Sequence, residues 1–234
     1  MSRLWLRVRA PFAAFRGFQA GVYRASAPVM PPSTAYGLVL NLAGIEMRAS
    51  TPGVTTLIRA DLPALQIAVG IISIPERSSL YQQLHSYPVG ASGKELKEKT
   101  HGAKFWITPV RRELLVDYDG MIGVRSEDGE LLERVRKGLR SELDSQRYGL
   151  PFAGDNNLLI DRIDVLDEPP PTHWYTRINA DDPPRKGSCR LTVGINRTDN
   201  SRTTSFLCAP LVEAHSIPPE TAWVWVPNEP VHDL

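Results

Sequence analysis

Apolar and polar positions alternate strictly through Arg3-Leu-Trp-Leu-Arg-Val-Arg9, placing Leu4, Leu6 and Val8 on one face and Arg3, Trp5, Arg7 and Arg9 on the other. A period of two predicts a strand, here with a cationic and aromatic outer side. From Pro31 the period changes: Ala35, Leu38, Val39, Leu42 and Ile45 recur at helical spacing and make an apolar face. Two prolines bring the chain in extended, Ser33 is placed to cap the first free N–H groups, and Gly44 can take the left-handed conformation that ends a helix. Thr34, Gly37, Asn41 and Gly44 form a second face, small and polar. A mid-helix glycine costs about 1 kcal/mol against alanine, so Gly37 points to a close approach to this backbone, by a packed strand or by a bound phosphate backbone.

Leu65 to Ile74 is a nearly continuous apolar run and reads as a buried central strand. Residues 76–109 break the pattern, with a short helix expected around Arg77 to His85 and then Lys94, Lys97, Lys99, His101 and Lys104. Too poor in apolar residues for a core of its own, this segment reads as an insertion, either a solvated charged loop or a basic finger that orders on RNA or a protein partner. Alternation predicts a strand from Arg111 to Val124. Helical periodicity follows over Glu127 to Gln146, with Leu131, Leu132, Val135, Leu139 and Leu143 inward and a Glu133–Lys137 pair. Leu158 to Leu166 reads as the next strand. Strand, helix, strand, insertion, strand, helix, strand is the βαββαβ order of the ferredoxin-like (RRM-like) fold, an α+β class. Pro169 to Pro171 mark a boundary between residues 1–168, the core with its thumb-like insertion, and residues 169–234, a β-rich extension packed on it. Within the extension, strands are expected over residues 172–179, 189–196, 203–209 and 221–226. A turn at Asp199-Asn200-Ser201 puts Cys189 opposite Cys208, and Trp223 and Trp225 belong to the core or to an interface.

Composition alters this picture in few places. Across 234 residues the chain is 42% hydrophobic and 23% charged with net charge +1, an ordinary globular balance that excludes a grossly basic protein and leaves local patches to decide. Three prolines interrupt the uncharged run from Ala25 to Ile45, so no membrane span is expected there, and Arg3, Arg7 and Arg9 disfavour a signal peptide. Two cysteines without a C-x-x-C pattern predict no zinc site and no disulfide framework, which suits the reducing cytoplasm. No phosphate-cradling glycine loop, paired-histidine motif or serine elbow occurs, so no cofactor or metal is expected. Phe12, Phe15, Phe18 and Tyr23 are interleaved with Arg16 and Arg24. Such a loop either stacks bases and pairs phosphates of single-stranded nucleic acid, or plugs its rings into the core and leaves its arginines solvated. Metal-free RNA cleavage needs a base and a cation, for which Tyr36, His85, His101 and Lys104 are available.

Four stretches in order resemble the CRISPR-associated Cas5 family, in its Myxan (DevS-like) branch, over about residues 3–166. They are Arg9-Ala-Pro-Phe-Ala-Ala-Phe-Arg16, Pro31 to Gly37 with Asn41 to Gly44, Pro109-Val-Arg-Arg-Glu-Leu-Leu-Val116, and Tyr148-Gly-Leu-Pro-Phe-Ala-Gly-Asp-Asn-Asn157. The resemblance implies a ferredoxin-like core with a thumb between its second and third strands. It further implies a type I Cascade subunit that caps the guide RNA (crRNA) at its 5′ handle. Expected partners are the repeating backbone subunit, the large PAM-recognising subunit and target DNA near its PAM-proximal end. By motif match, Phe15, Arg16, Arg24, Ser33, Tyr36 and Asn41 would line the handle pocket. Lys99, Lys104, Arg111 and Arg112 would lie on or below the thumb, and Arg147 joins this RNA-binding set. One branch of the family cleaves precursor RNA using an adjacent Lys-His pair, which this sequence lacks. A non-catalytic role is therefore expected, with a metal-free endoribonuclease processing pre-crRNA repeats as the alternative.

Overall fold

The computed structural model describes residues 1–17, 23–49, 57–88, 105–145, 147, 149–179, 181–183, 185–196 and 202–227. Alternation at the start of the chain builds β1 (Ser2–Ala13), followed by the two-residue strands β2 (Phe15–Arg16), β3 (Tyr23–Arg24) and β4 (Ser26–Ala27). Helix α1 (Pro32–Leu42), β5 (Leu65–Ile71), β6 (Glu76–Pro88), β7 (Phe105–Ser126) and helix α2 (Gly129–Leu139) come next. The chain continues through β8 (Arg162–Leu166), β9 (His173–Arg177), β10 (Cys189–Gly194), β11 (Thr204–Pro210) and β12 (Val224–Val226).

β5, β7, β1 and β8 lie side by side in that order, each pair antiparallel. The two-residue period then separates the faces of the sheet. Leu4, Leu6 and Val8, with Ile67, Val69, Ile122 and Val124, share the main core with α1 and α2. Trp5, Ala68 and Met121 belong to a smaller cluster with Trp174 and Trp223. The outer side of β1 is thereby occupied: Trp5 lies 6.0 Å from Trp174 and 5.9 Å from Trp223, while Arg7 and Arg9 are paired with Asp119 and Asp164.

α1 starts differently from expectation and ends as expected. Its N-cap is Pro31, with no side-chain cap, so Ser33 lies inside the first turn and proline's preset φ starts the helix. At the other end Gly44 has φ +70°, and Ile45 N–H closes on Leu40 O at 2.9 Å. The helix is buried nearly all round, Leu40 included, because β10 and β12 pack on it as well as β5 and α2. α2 is shorter than the expected residues 127–146: Asp128 caps it through Glu130 and Leu131 N–H, and Ser141, at φ +61°, turns the chain away. Leu143 is left outside the helix, and Glu133 pairs with Arg136 and Arg140 instead of Lys137.

The helix expected around Arg77 to His85 is strand β6, paired with β7 from Glu76↔Val116 to Pro88↔Phe105. Leu80 and Leu84 sit at helical spacing, but the long edge of β7 carries backbone groups that need partners, and β6 supplies them. The insertion is thus a two-stranded arm, and residues 89–104, with Lys99 and Lys104, lie outside the described residues. β7 changes neighbour around Asp117, which has φ +53°: the residues before it pair with β6 and those after it with β5. The C-terminal strands prolong the same sheet in the order β10-β11-β9-β5, and β12 also adds to β5. Cys189 and Cys208 face each other across β10 and β11 as free thiols; the turn expected at residues 199–201 lies outside the described residues. Among the described residues no helix is long and apolar enough to cross a membrane.

Candidate nucleic-acid interface

A cavity of about 820 Å³ opens along the small, polar face of α1. Ser33, Thr34, Gly37 and Asn41 line one side, Met47, Arg59 and Leu62 of the connector a second, and Leu150 to Phe152 with Gly194 to Asn196 the rest. A Cβ on Gly37 would meet only Met47 Sδ, at 3.6 Å, among the described atoms. Among the described residues no strand presses on this glycine.

The loop from Gly149 to Asn157 is held from three sides. Ala14 N–H donates to Ala153 O at 3.0 Å, Asn41 Nδ2 donates to Gly149 O at 3.2 Å, and Arg112 is ion-paired with Asp155. Asp155 also accepts from Asn157 N–H at 2.9 Å. Gly154 has φ +85°, and a Cβ there would come within 2.3 Å of Ala14 O, so only glycine fits. With the loop clamped this way, Leu150 and Phe152 line the cavity while remaining 69% and 45% exposed. Sequence reasoning missed both as site residues. Their signal is apolar side chains among glycine and proline, outside any periodic pattern.

The residues expected at the site fall into three groups. Phe15 is a correction: its ring is buried edge-on against Tyr118, centroids 5.1 Å apart, and cannot stack on a base. Its N–H donates to Ser26 Oγ, and Ser26 N–H donates in turn to Glu113, which binds the short strands to β7. Tyr36 lines the cavity, but its hydroxyl is engaged, donating to Pro63 O at 2.8 Å, and burial pushes the phenol far above its ordinary pKa. Asn41 is 6% exposed and positions the Gly149 loop; its Oδ1 has no hydrogen-bond partner among the described residues.

The arginines form the second group. β3 runs parallel to β7 with Tyr23 opposite Arg111 and Arg24 opposite Arg112. Arg16 and Arg111 are exposed and Arg24 is half-buried; Arg111 Nε donates to Ser79 Oγ at 3.0 Å. Among the described residues no carboxylate pairs with any of these three, whereas Arg112 is committed to Asp155. Arg147, half-buried, precedes the clamped loop. The third group, Lys99 and Lys104, lies outside the described residues.

Charge is distributed unequally between hollow and rim. Inside the cavity, hydrogen bonds from Arg48 hold the Glu46 carboxyl below its usual range, and Arg59 is paired with Asp61. These pairs leave the lining close to neutral. Positive charge without a carboxylate among the described residues sits on Arg16, Arg24 and Arg111, and Arg24, opposite Arg112 in register, is tied to the loop that lines the cavity through the Arg112–Asp155 pair. A neutral hollow with cations on neighbouring elements suits an uncharged ring joined to an anionic backbone.

The sequence matches the family model described as CRISPR-associated protein (Cas_Cas5) over residues 3–141. No curated protein matches it. The fold is similar to a solved structure described as a CRISPR RNA-guided surveillance complex, with TM-score 0.58 and 11% identity over 94% of this chain and 96% of that one. It is also similar to a crystal structure of a Cas protein, with TM-score 0.52 and 13% identity over 90% and 94% of the two chains. The family match runs through β1, both helices and the arm between them, more than half of the protein, and the chain therefore belongs to the CRISPR-associated Cas5 family.

Proposed function

We propose that this protein is a non-catalytic, RNA-holding subunit of a type I CRISPR Cascade complex that grips the 5′ handle of the guide. The observation that carries this reading is the neutral cavity on α1, whose Gly149–Asn157 wall is tied through the Asp155–Arg112 pair to the strand position opposite Arg24. At about 820 Å³ the cavity falls in the usual ligand range of about 300–1,000 Å³. Handle bases enter it beside Phe152 and Ser33, and the arginines follow the phosphates.

The core is read as ferredoxin-like within residues 1–168. Its support is the strand order β5-β7-β1-β8, wholly antiparallel, with α1 after β1 and α2 after β7. The β6–β7 arm is the thumb, and residues 169–234 are the extension. In this reading the protein bridges the repeating backbone subunit and the large PAM-recognising subunit, close to the target DNA. A structural neighbour described as an RNA-guided surveillance complex supports a place in such an assembly.

The alternative, a metal-free endoribonuclease, draws on Tyr36, His85, His101 and Lys104. Tyr36 is poorly suited to activate a 2′-OH, since its hydroxyl donates to Pro63 O and its phenol resists ionisation.

Incubating the purified chain with labelled CRISPR repeat RNA in EDTA, with one gel for shift and one for cleavage, tests the reading. A shift without cleavage is expected, and Arg16→Ala with Arg24→Ala should weaken it and flatten its salt dependence. Discrete cleavage would make the chain the processing enzyme. Absence of a shift at every salt concentration would reduce it to a protein-binding module.

A further inference from the structure

A second cavity, about 290 Å³, lies in the C-terminal strands, outside the family-matched residues. The two hollows share no lining residue: Val226 of β12 lines the first, and Val224 and Trp225 line the second. Arg177, Phe206 and Trp223 complete the walls used here.

Two of these side chains have functions unfilled by the protein. Arg177 stacks its guanidinium 4.3 Å from the Phe206 ring centroid and has no hydrogen-bond or carboxylate partner among the described residues. Trp225 is 42% exposed and makes no ring contact among the described residues. Trp223 is already engaged, with Arg125 4.0 Å over its ring, and serves as wall. The unpartnered polar group, Arg177, is a donor and a cation, so an occupant must bring acceptors and negative charge. The exposed indole adds a face for a flat ring. A protein carboxylate meets the first requirement alone. A nucleotide meets both, with phosphate on Arg177 and base on Trp225.

We propose that this hollow holds one unpaired nucleotide of a single-stranded nucleic acid, at a site separate from the cavity on α1. Because the two cavities share no lining residue, they engage different segments of strand. The proposal does not depend on the handle reading.

The test uses the full chain and a fluorescein-labelled dT12 oligonucleotide, followed by anisotropy at low salt. Wild type binds dT12. Trp225→Ala weakens this binding about tenfold or more, Trp225→Phe restores most of it, and Arg177→Gln weakens it while lowering the salt slope by about 0.7. Equal affinity of Trp225→Ala and wild type overturns the proposal. Binding of a glutamate-rich dodecapeptide without binding of dT12 also overturns it, in favour of a protein contact. Failure of repeat RNA to bind would count against the handle reading alone, because dT12 binding is read independently.

Discussion

Replacing Gly138 by alanine sets two effects against each other. In an isolated helix the change gains about 1 kcal/mol, because glycine loses the most backbone freedom on ordering. Here Gly138 lies near the end of α2, and a Cβ would stand 1.8 Å from Leu42 O and 2.9 Å from Leu42 C, both backbone atoms of α1. A carbon and a carbonyl oxygen need about 3.3 Å, so the 1.8 Å approach forces the helices apart by about 1.5 Å. No flexible side chain can yield instead. A gap of about 0.5–1 Å already forfeits a quarter to a half of a dispersion contact, and overpacking in a close-packed core costs about 1–3 kcal/mol. The steric effect therefore exceeds the propensity gain, leaving Gly138→Ala about 1–2 kcal/mol less stable. The shift also displaces Asn41, whose Nδ2 holds Gly149 O at the cavity, so repeat-RNA affinity should fall with stability. Urea unfolding of the full chain followed by circular dichroism measures the first effect, and a gel shift the second. A variant as stable as wild type, or more so, would refute the packing argument and show that propensity governs this contact.

Other consequences can be checked with the same protein. Asp155→Ala strands Arg112 and frees the Asn157 N–H; the paired side chains are 18% and 13% exposed. Its expected cost is about 2 kcal/mol, below the roughly 3–5 kcal/mol of a fully buried pair, and a lower urea midpoint would report it. At Asp164, burial acts to raise the carboxyl pKa, but hydrogen bonds from Arg162 and Arg9 outweigh it and hold the group below its ordinary value. Such a carboxylate stabilises the fold above its unfolded pKa of about 3.9, and the contribution is lost as pH falls through the lower folded value. Stability should therefore decline below about pH 4, less steeply in Asp164→Asn than in wild type; parallel declines would count against the pairing. Burial pushes the thiols of Cys189 up to about 12 and of Cys208 up to about 11. Neither should react with an aromatic disulfide reagent at pH 8 until urea is added, and rapid reaction of the native protein would contradict this burial.

Local chemistry determined a large part of the molecule. The alternation in β1 and the proline entry and Gly44 exit of α1 depend on neighbours in sequence, and Cys189 stands opposite Cys208 as their spacing predicts. The four motifs likewise pointed to the family that the comparison established. Tertiary structure decided what those elements do. β6 is a strand because the edge of β7 requires pairing, although its leucines follow helical spacing. Within one aromatic and basic segment, Phe15 became core while Phe12, Tyr23 and Arg16 stayed exposed, a division that depends on Tyr118 more than a hundred residues away. Similarly, Arg112 is neutralised by Asp155 whereas its neighbour Arg111 is not, and Phe152 lines the cavity because Ala14, Asn41 and Arg112 clamp its loop from three separate elements. Periodicity reports which face a residue occupies within its own element; which partner covers that face is set by contacts between segments distant in the chain.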